Sequence, residues 1–363
     1  MRFPEFSGEW ERHSLGEIGS TLIGLTYSPA DVVKEDGVIV LRSSNIQDGE
    51  IDYKDLVRVN KKIKDSLFTK KNDILICARN GSSRLIGKNA LISDDDTGHS
   101  YGAFMMVYRS EDNPYVRQLL CTKRYFAQVG ENLGARINQI TTSDMNSFEF
   151  FFPQSKEERN KIALFLRLID ERISTQKKII EKLESLIKGL CQKLTQQDNP
   201  NTALNDTLVC YSSTLQESSV QEAGGYPVYG ATGVCGYTDT PEVDGDSILI
   251  IKDGASVGVT YYASGKYSAI GTLNRLVAKR GYSLRYLYYC LKVFNFAPYR
   301  TGLAIPHIYF RDYGKAKVWC PSLDEQQRIA DALSKVEQKI AIEKSLLEQL
   351  YSQKRFLLQA MFI

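Results

Sequence analysis

Glu158-Arg159-Asn160-Lys161-Ile162-Ala163-Leu164-Phe165-Leu166 and Glu325-Gln326-Gln327-Arg328-Ile329-Ala330-Asp331-Ala332-Leu333 are two versions of one stretch, set 167 residues apart. The correspondence continues, with Ile173, Lys177, Glu181, Leu183 and Leu190 recurring as Ile340, Lys344, Glu348, Leu350 and Leu357. The chain is therefore a tandem duplication, and a period this long makes each repeat a whole domain carrying a helix rather than a solenoid unit.

Both stretches read as long helices with a heptad seam. In the first, Ile162, Leu166, Ile169, Ile173, Gln176, Ile180, Leu183, Ile187, Leu190 and Leu194 alternate steps of four and three. In the second the same places hold Ile329, Leu333, Val336, Ile340, Glu343, Leu347, Leu350, Lys354, Leu357 and Met361. This is a coiled-coil pattern, and at ~1.5 Å per residue each helix extends on the order of 55 Å. A polar residue falls fifth in both copies, so antiparallel packing of one copy on the other would bring Gln176 and Glu343 together. A homodimeric coiled coil is the alternative.

Upstream the repeat is fainter. Gly134, Ile137, Ile140, Asp144 and Pro153 reappear as Gly302, Ile305, Ile308, Asp312 and Pro321. Asp73, Arg79, Asn80, Gly81 and Ser83 align without gaps against Asp246, Lys252, Asp253, Gly254 and Ser256. Short apolar runs at 38–42, 73–78, 103–108 and 148–152 read as strands, and 114–128 reads as a helix entered through Pro114. The second repeat follows the same order, with strands at 247–252, 259–263 and 273–278 and a helix at about 283–294. Gln196-Gln197-Asp198-Asn199-Pro200-Asn201 breaks the first long helix and reads as the linker. The expected fold class is α+β: two mixed α/β domains in tandem, each followed by a long helix, the helices packed as an antiparallel coiled coil. The expected divisions are 1–152, a helical region 153–197, linker and second domain 198–319, and a helical region 320–363.

Composition narrows the function classes. With 363 residues, 43% hydrophobic and 25% charged, the chain can bury two cores. It has no apolar run of about 18 residues and no signal-peptide core near Met1, so a cytoplasmic protein without membrane association is expected. Seven cysteines show no CxxC spacing and read as packing residues, and three scattered histidines give little support to a zinc site. A net charge of +3 does not by itself argue for nucleic acid.

Three catalytic look-alikes fail on context. Gly254-Ala255-Ser256-Val257-Gly258 fits a nucleophile elbow, but the residues after it read as strand where the elbow needs a helix. Gly81 to Lys88 has five residues between its glycines and Asn89 in place of the magnesium-binding hydroxyl. Asp112-Asn113-Pro114-Tyr115 resembles an amino-methyltransferase signature but lacks the second proline and a glycine-rich cofactor loop, and reads better as a helix start.

Further local motifs are Phe3-Pro4-Glu5-Phe6 with Trp10 and Leu15-Gly16, the stretch from Leu41 to Ile46, and the stretch from Tyr226 to Tyr237. Together with Pro153 followed by Glu158 and Ile162, and Pro321 followed by Glu325-Gln326 and Ile329-Ala330, they resemble the specificity subunits of type I restriction-modification systems over nearly the whole chain. The resemblance implies two target recognition domains, each reading one half of a bipartite double-stranded DNA target, held apart by the helices. It also implies a subunit without catalytic activity or cofactor of its own. Two modification subunits would dock on it and bring S-adenosylmethionine, and a restriction subunit would join for ATP-driven translocation and cleavage. Arg159 stands where the second copy has Gln326, which puts the equivalence of the two docking surfaces in question.

Candidate DNA-contacting residues are Arg79, Asn80 and Ser83 in the first repeated turn, and Lys252, Asp253 and Ser256 in the second. Their side chains supply donors and acceptors that base edges require, and the adjoining glycines permit close approach. Further candidates are Arg42, Ser43, Asn45, Asn138, Gln139, Thr141, Tyr229, Thr232, Asn274 and His307. A helical scaffold with no nucleic-acid role also accounts for a duplicated coiled coil.

Overall fold

The computed structural model describes residues 1–133, 138–302 and 305–362. Gly134 and Ile137 of the repeat therefore lie outside the described residues. Contacts divide the chain into two units, residues 1–175 with 347–363, and residues 176–346.

The first unit is built on an antiparallel sheet in the order Ser20–Ile23, Met105–Arg109, Ile74–Cys77, Asn89–Leu91. Ile74 to Cys77 is fully buried, which explains its unbroken apolar sequence. A second sheet is ordered Ser100–Tyr101, Val38–Leu41, Val57–Val59, Val32–Val33, and its first pair is parallel. Trp10–Ser14 pairs with Glu149–Pro153, tying the start of the unit to the strand that leads into the long helix Lys156–Thr195.

The second unit repeats this plan. Its main sheet runs Leu208–Ser212, Leu273–Ala278, Ser247–Ile251, Thr260–Ala263. Its second sheet contains the parallel pair Tyr226–Gly230 and Lys266–Ala269, and Thr202–Ala203 closes on Lys317–Val318. Equivalent backbone bonds fix the correspondence. Leu15 N–H donates to the Phe148 carbonyl as Leu204 N–H does to Ala316, both at 2.9 Å. Buried Tyr115 donates to the Phe151 carbonyl at 3.1 Å, and buried Tyr286 to the Trp319 carbonyl at 2.7 Å.

This correspondence corrects the gapless alignment of the repeated turn. Cys77 faces Met105 and Ile251 faces Leu273 across the central strand pair. The central strands are thus 174 residues apart, one more than the sequence match of Asp73 with Asp246. Arg79 corresponds in space to Asp253, and Lys252 corresponds to Ala78. The Asp-Gly pair in the second copy drew the sequence alignment one residue out of register.

The helix expected over 114–128 is two helices, Asn113–Leu119 and Lys123–Leu133. Thr122 divides them, its hydroxyl donating to the Leu119 carbonyl at 2.6 Å and accepting from Tyr125 N–H at 3.3 Å. Asp112 stands just before the first of these, in keeping with a helix start rather than a methyltransferase motif. All seven cysteines are free, and burial pushes the Cys77, Cys191, Cys210 and Cys320 thiols up to about 11, so these are neutral packing groups at pH 7. No described helix is long and apolar enough to cross a membrane.

Each unit contains a stretch of both long helices, Lys156–Thr195 and Leu323–Met361. In the first unit Ile162, Leu166, Ile169 and Ile173 share a core with Leu350, Leu357 and Met361. Asp170 pairs there with Lys354, while Arg2 binds Glu158 and the Met1 amino group binds the Ala360 carbonyl. The start of one helix therefore lies by the end of the other, an antiparallel arrangement. In the second unit Gln176 Nε2 donates to the Glu343 carbonyl at 3.0 Å and to its carboxylate. Both residues are buried. Toward its C-terminus the seam of the first helix drifts, and Cys191 and Thr195 are buried in place of half-buried Leu190 and Leu194. That drift is the mismatch between 3.6 residues per turn and a 3.5-residue repeat.

Arg159 faces inward. Its guanidinium donates to the Asp112 carboxylate at 2.9 Å and to the Pro153 carbonyl at 2.6 Å. Gln326 occupies the same place in the second unit, donating to the Pro321 carbonyl at 2.9 Å and accepting from Ser283 N–H at 3.0 Å. Both side chains fasten the long helix to the first helix of its own domain. An acid at 112 and a bare backbone amide at 283 call for a cation and an amide respectively, so the exchange is compensated internally.

Two outcomes follow. Replacing Gln176 and Glu343 together by leucine should raise the thermal midpoint at pH 7, because exposed Lys339, the other partner of Glu343, stays in water. Lys339 first, and Gln176 second, hold the Glu343 carboxyl below its ordinary 4.5. Its contribution is therefore complete above that value and is lost as pH falls through the lower folded value. Calorimetry from pH 7 to 3 should accordingly show the variant's advantage growing on acidification, and a lower midpoint for the variant at neutral pH would contradict this account. Separately, Arg159→Ala should cost about 1–3 kcal/mol in denaturant unfolding by stranding Asp112. Arg159→Gln combined with Asp112→Ser should recover most of that loss by recreating the arrangement at Gln326.

Candidate nucleic-acid interface

Four segments meet at one edge of the first unit, and each is placed there by a strand end. The turn after Val38–Leu41 supplies Arg42, Ser43 and Asn45. The turn after Ile74–Cys77 supplies Arg79, Asn80 and Ser83. Gly102 to Phe104 precedes Met105–Arg109, and a strap of Asn138, Gln139 and Ile140 comes back across the end of the central strand.

Hydrogen bonds lock these segments together. Ile140 N–H donates to the Ala78 carbonyl at 2.9 Å, and Asn80 N–H to the Asn138 carbonyl at 3.3 Å. Arg79 and Gln139 form an antiparallel bridge. Asn80 Nδ2 donates to Ser43 Oγ at 2.9 Å, and Asn138 Nδ2 to the Gly81 carbonyl at 2.9 Å. Asn138 adopts a φ of 48°, a left-handed conformation that asparagine tolerates better than most residues. The Phe104 carbonyl accepts from both Ala78 and Arg79 N–H groups, at 2.9 and 3.0 Å. Arg79 is exposed, with its guanidinium 5.2 Å from the centre of the Phe104 ring. Ser83 is exposed at the start of a short turn, Ser83–Leu85.

The second unit assembles the same four segments. Ile308 N–H donates to the Lys252 carbonyl at 2.9 Å, and Gly254 N–H to the Pro306 carbonyl at 3.0 Å. Asp253 and His307 form the matching bridge, and their side chains meet at 2.7 Å, Nδ1 to Oδ1. Gly254 has a φ of +99°, so the second turn requires its glycine. The parallel pairs equate Leu41 with Tyr229, since Tyr101 faces Leu41 and Ala269 faces Tyr229. The stretches Leu41–Ile46 and Tyr226–Tyr237, unlike in sequence, thus begin from one structural element. Thr232 is exposed at the tip of the hairpin formed by Tyr226–Gly230 and Gly233–Thr238, and the Tyr229 ring packs edge-on to Tyr267 at 5.6 Å.

Some candidates have structural duties instead. Asn45 is fully buried, its amide donating to the Asp52 and Asp55 carbonyls at 2.9 and 2.8 Å while its oxygen accepts from Arg42 N–H. Asn274 is buried within the main sheet and accepts from Ser212 Oγ at 3.2 Å. Thr141 caps the helix Thr142–Ser147 through a reciprocal pairing with Asp144. The Arg42 guanidinium is paired with Asp55 at 2.7 Å. Ser256 is exposed in a turn that leads into the strand Thr260–Ala263, which removes the nucleophile-elbow reading. Gly81 likewise leads only to the short turn Ser83–Leu85, with none of the α-helix a phosphate-binding loop opens. Among the described residues no cluster of three or more metal-ligating side chains occurs.

Phe104 went unnoticed in the sequence because Ala103 to Tyr108 reads as a single buried strand. The strand begins only at Met105, and Phe104 is 58% exposed.

Residues 7–185 and 211–352 match the family model described as the type I restriction modification DNA specificity domain. The chain is 26% identical over 191 residues to the Escherichia coli K12 type I restriction enzyme EcoKI specificity subunit, and 26% identical over 198 residues to the StySPI specificity subunit of Salmonella potsdam. Each match covers 50% of this chain and 41% of the relative, so the chain spans about two-fifths of the length of these curated relatives. The fold is similar to the crystal structure of the type I restriction-modification S subunit from M. genitalium, with a TM-score of 0.67 and 19% identity over 100% of this chain and 99% of that one. It is also similar, at a TM-score of 0.54 and 15% identity over 98% of each chain, to a structure from work on complex assembly and conformational transition of the type I system. With the family model matching most of the chain in both repeats, the protein belongs to the type I restriction-modification DNA specificity family.

Proposed function

We propose that this chain is the non-catalytic sequence-reading subunit of a cytoplasmic type I restriction-modification complex. In this reading residues 1–152 form one target recognition domain and 198–319, with their linker, the other, while 153–197 and 320–363 are the helical regions between and after them. Each recognition domain reads one half of a bipartite duplex target through its four-segment cluster. The observation that supports this most is that one backbone scaffold, built twice, carries different side chains: Ser43, Arg79, Asn80 and Gln139 in one copy, with Ala231, Asp253, Gly254 and His307 at the corresponding places in the other. A duplicated frame with diverged tips suits two unlike half-sites, and two such readers about one helical turn (~34 Å) apart would address one side of a duplex.

Two modification subunits would dock on the helices and supply S-adenosylmethionine, and a restriction subunit would complete the assembly. Leu164 and Leu168 on the first helix, and Ile342 and Leu346 on the second, are exposed at i, i+4 spacing and offer apolar ground for such docking.

The division of labour is tested by selecting bound duplexes from a random pool with the full chain and its loop variants. Arg79→Ala should relax one or two base positions in one half-site, at a cost of ~1–3 kcal/mol in discrimination, and leave the other half unchanged. Asp253→Ala should do the converse. Lys252→Ala, whose residue sits one step back at the strand end, should weaken binding without changing base preference. Altered preference in the opposite half-site for either of the first two variants would refute the two-reader arrangement.

A further inference from the structure

Arg79 and Phe104 form an unusual pair in the first unit. Among the described residues the Arg79 guanidinium has no hydrogen bond or ion pair, and its one contact of note is the Phe104 ring, 5.2 Å to the centroid. Phe104 is 58% exposed in a cluster that also carries Ser43, Asn80, Asn138 and Gln139, and its backbone is pinned by the two hydrogen bonds its carbonyl accepts. Neighbouring Ser43, Asn80 and Asn138 spend polar groups on one another or on backbone. Five unspent N–H donors held against an exposed, rigidly placed aromatic ring fit a ligand that has an acceptor edge beside an apolar point.

The major groove offers that combination where a guanine, with its O6 and N7 acceptors, neighbours a thymine with its 5-methyl group. Resting on the sequence-reading function proposed above, we propose that Arg79 and Phe104 read a thymine–guanine step as one unit, Arg79 on the guanine and Phe104 on the thymine methyl. The cation–π contact keeps the guanidinium in place before DNA arrives, so less side-chain freedom is lost on binding. The second unit does not repeat this pair, since Asp253 holds the place of Arg79. Thr272 holds the place of Phe104, since Lys252 N–H donates to its carbonyl at 3.0 Å as Ala78 N–H does to Phe104, and the Thr272 hydroxyl is buried. The arginine–aromatic pair is therefore confined to the first unit.

The test uses the full chain and the duplex enriched from a random pool, with each thymine replaced in turn by deoxyuridine, which removes only the 5-methyl group. One thymine, in the first unit's half-site and next to a guanine, should weaken binding about fourfold when replaced, the effect of losing one buried methyl-sized group. Phe104→Ala should bind the parent duplex that much more weakly and no longer respond to the replacement, whereas Phe104→Leu should still respond. Replacing the adjacent guanine by 7-deazaguanine should weaken the wild type but not Arg79→Ala. The ring is mostly exposed and the anchoring bonds are backbone ones, so these variants keep the fold. An enriched site with no methyl-sensitive thymine, or sensitivity that persists in Phe104→Ala, overturns this proposal and leaves sequence reading intact. Failure to enrich any site overturns the sequence-reading function and this proposal with it.

Discussion

The site in each unit depends on one backbone constraint, the strap that returns from far along the chain to pair with the end of the central strand. Ile140 N–H binds the Ala78 carbonyl and Ile308 N–H binds the Lys252 carbonyl, both at 2.9 Å. Beyond these bonds the central strand can no longer continue its ladder and must turn outward, presenting the side chains at 79 and 80 in one unit and at 253 to 256 in the other. Buried backbone groups have to find partners, so the strap is held as firmly as the sheet it joins. The loop tips can then vary without disturbing the frame.

Variation at the tips is what distinguishes the two units. Arg79 is replaced in space by Asp253, which is engaged with His307, and Ser43 is replaced by Ala231. Phe104 gives way to Thr272. One edge presents a cation on an aromatic ring, the other an acid–imidazole pair. A duplicated scaffold under selection for two unlike half-sites would be expected to diverge in this way, with the core and the internal fastenings kept. Arg159 and Gln326 make the same point from inside the fold, since a different side chain there performs the same fastening because its partner changed as well.

The long helices were legible in the sequence because heptad spacing is a direct record of which face is buried. The pairing of Gln176 with Glu343 could be foreseen from their common fifth place in the seam. The candidate edge was legible only in part. Asn80, Asn138 and Gln139 read as polar loop residues and assemble with Ser43, whereas Asn45, Asn274 and Thr141 look the same in a sequence and serve the fold. Composition cannot separate a polar group that faces solvent from one that satisfies buried carbonyls. The register of the second turn failed for a related reason, because Asp-Gly-x-Ser resembles Asn-Gly-x-Ser strongly enough to mask a one-residue shift. Only the hydrogen-bonded ladder reveals that shift.

That shift carries the central claim, the spatial equivalence of Arg79 and Asp253, and it can be tested by moving chemistry from one unit to the other. Asp253→Arg and Lys252→Arg would be compared with the parent chain in the same duplex selection. Asp253→Arg should create a new guanine preference in the second half-site while leaving the first unchanged, and Lys252→Arg should leave base preference as it was. A new preference from Lys252→Arg with none from Asp253→Arg would contradict that equivalence.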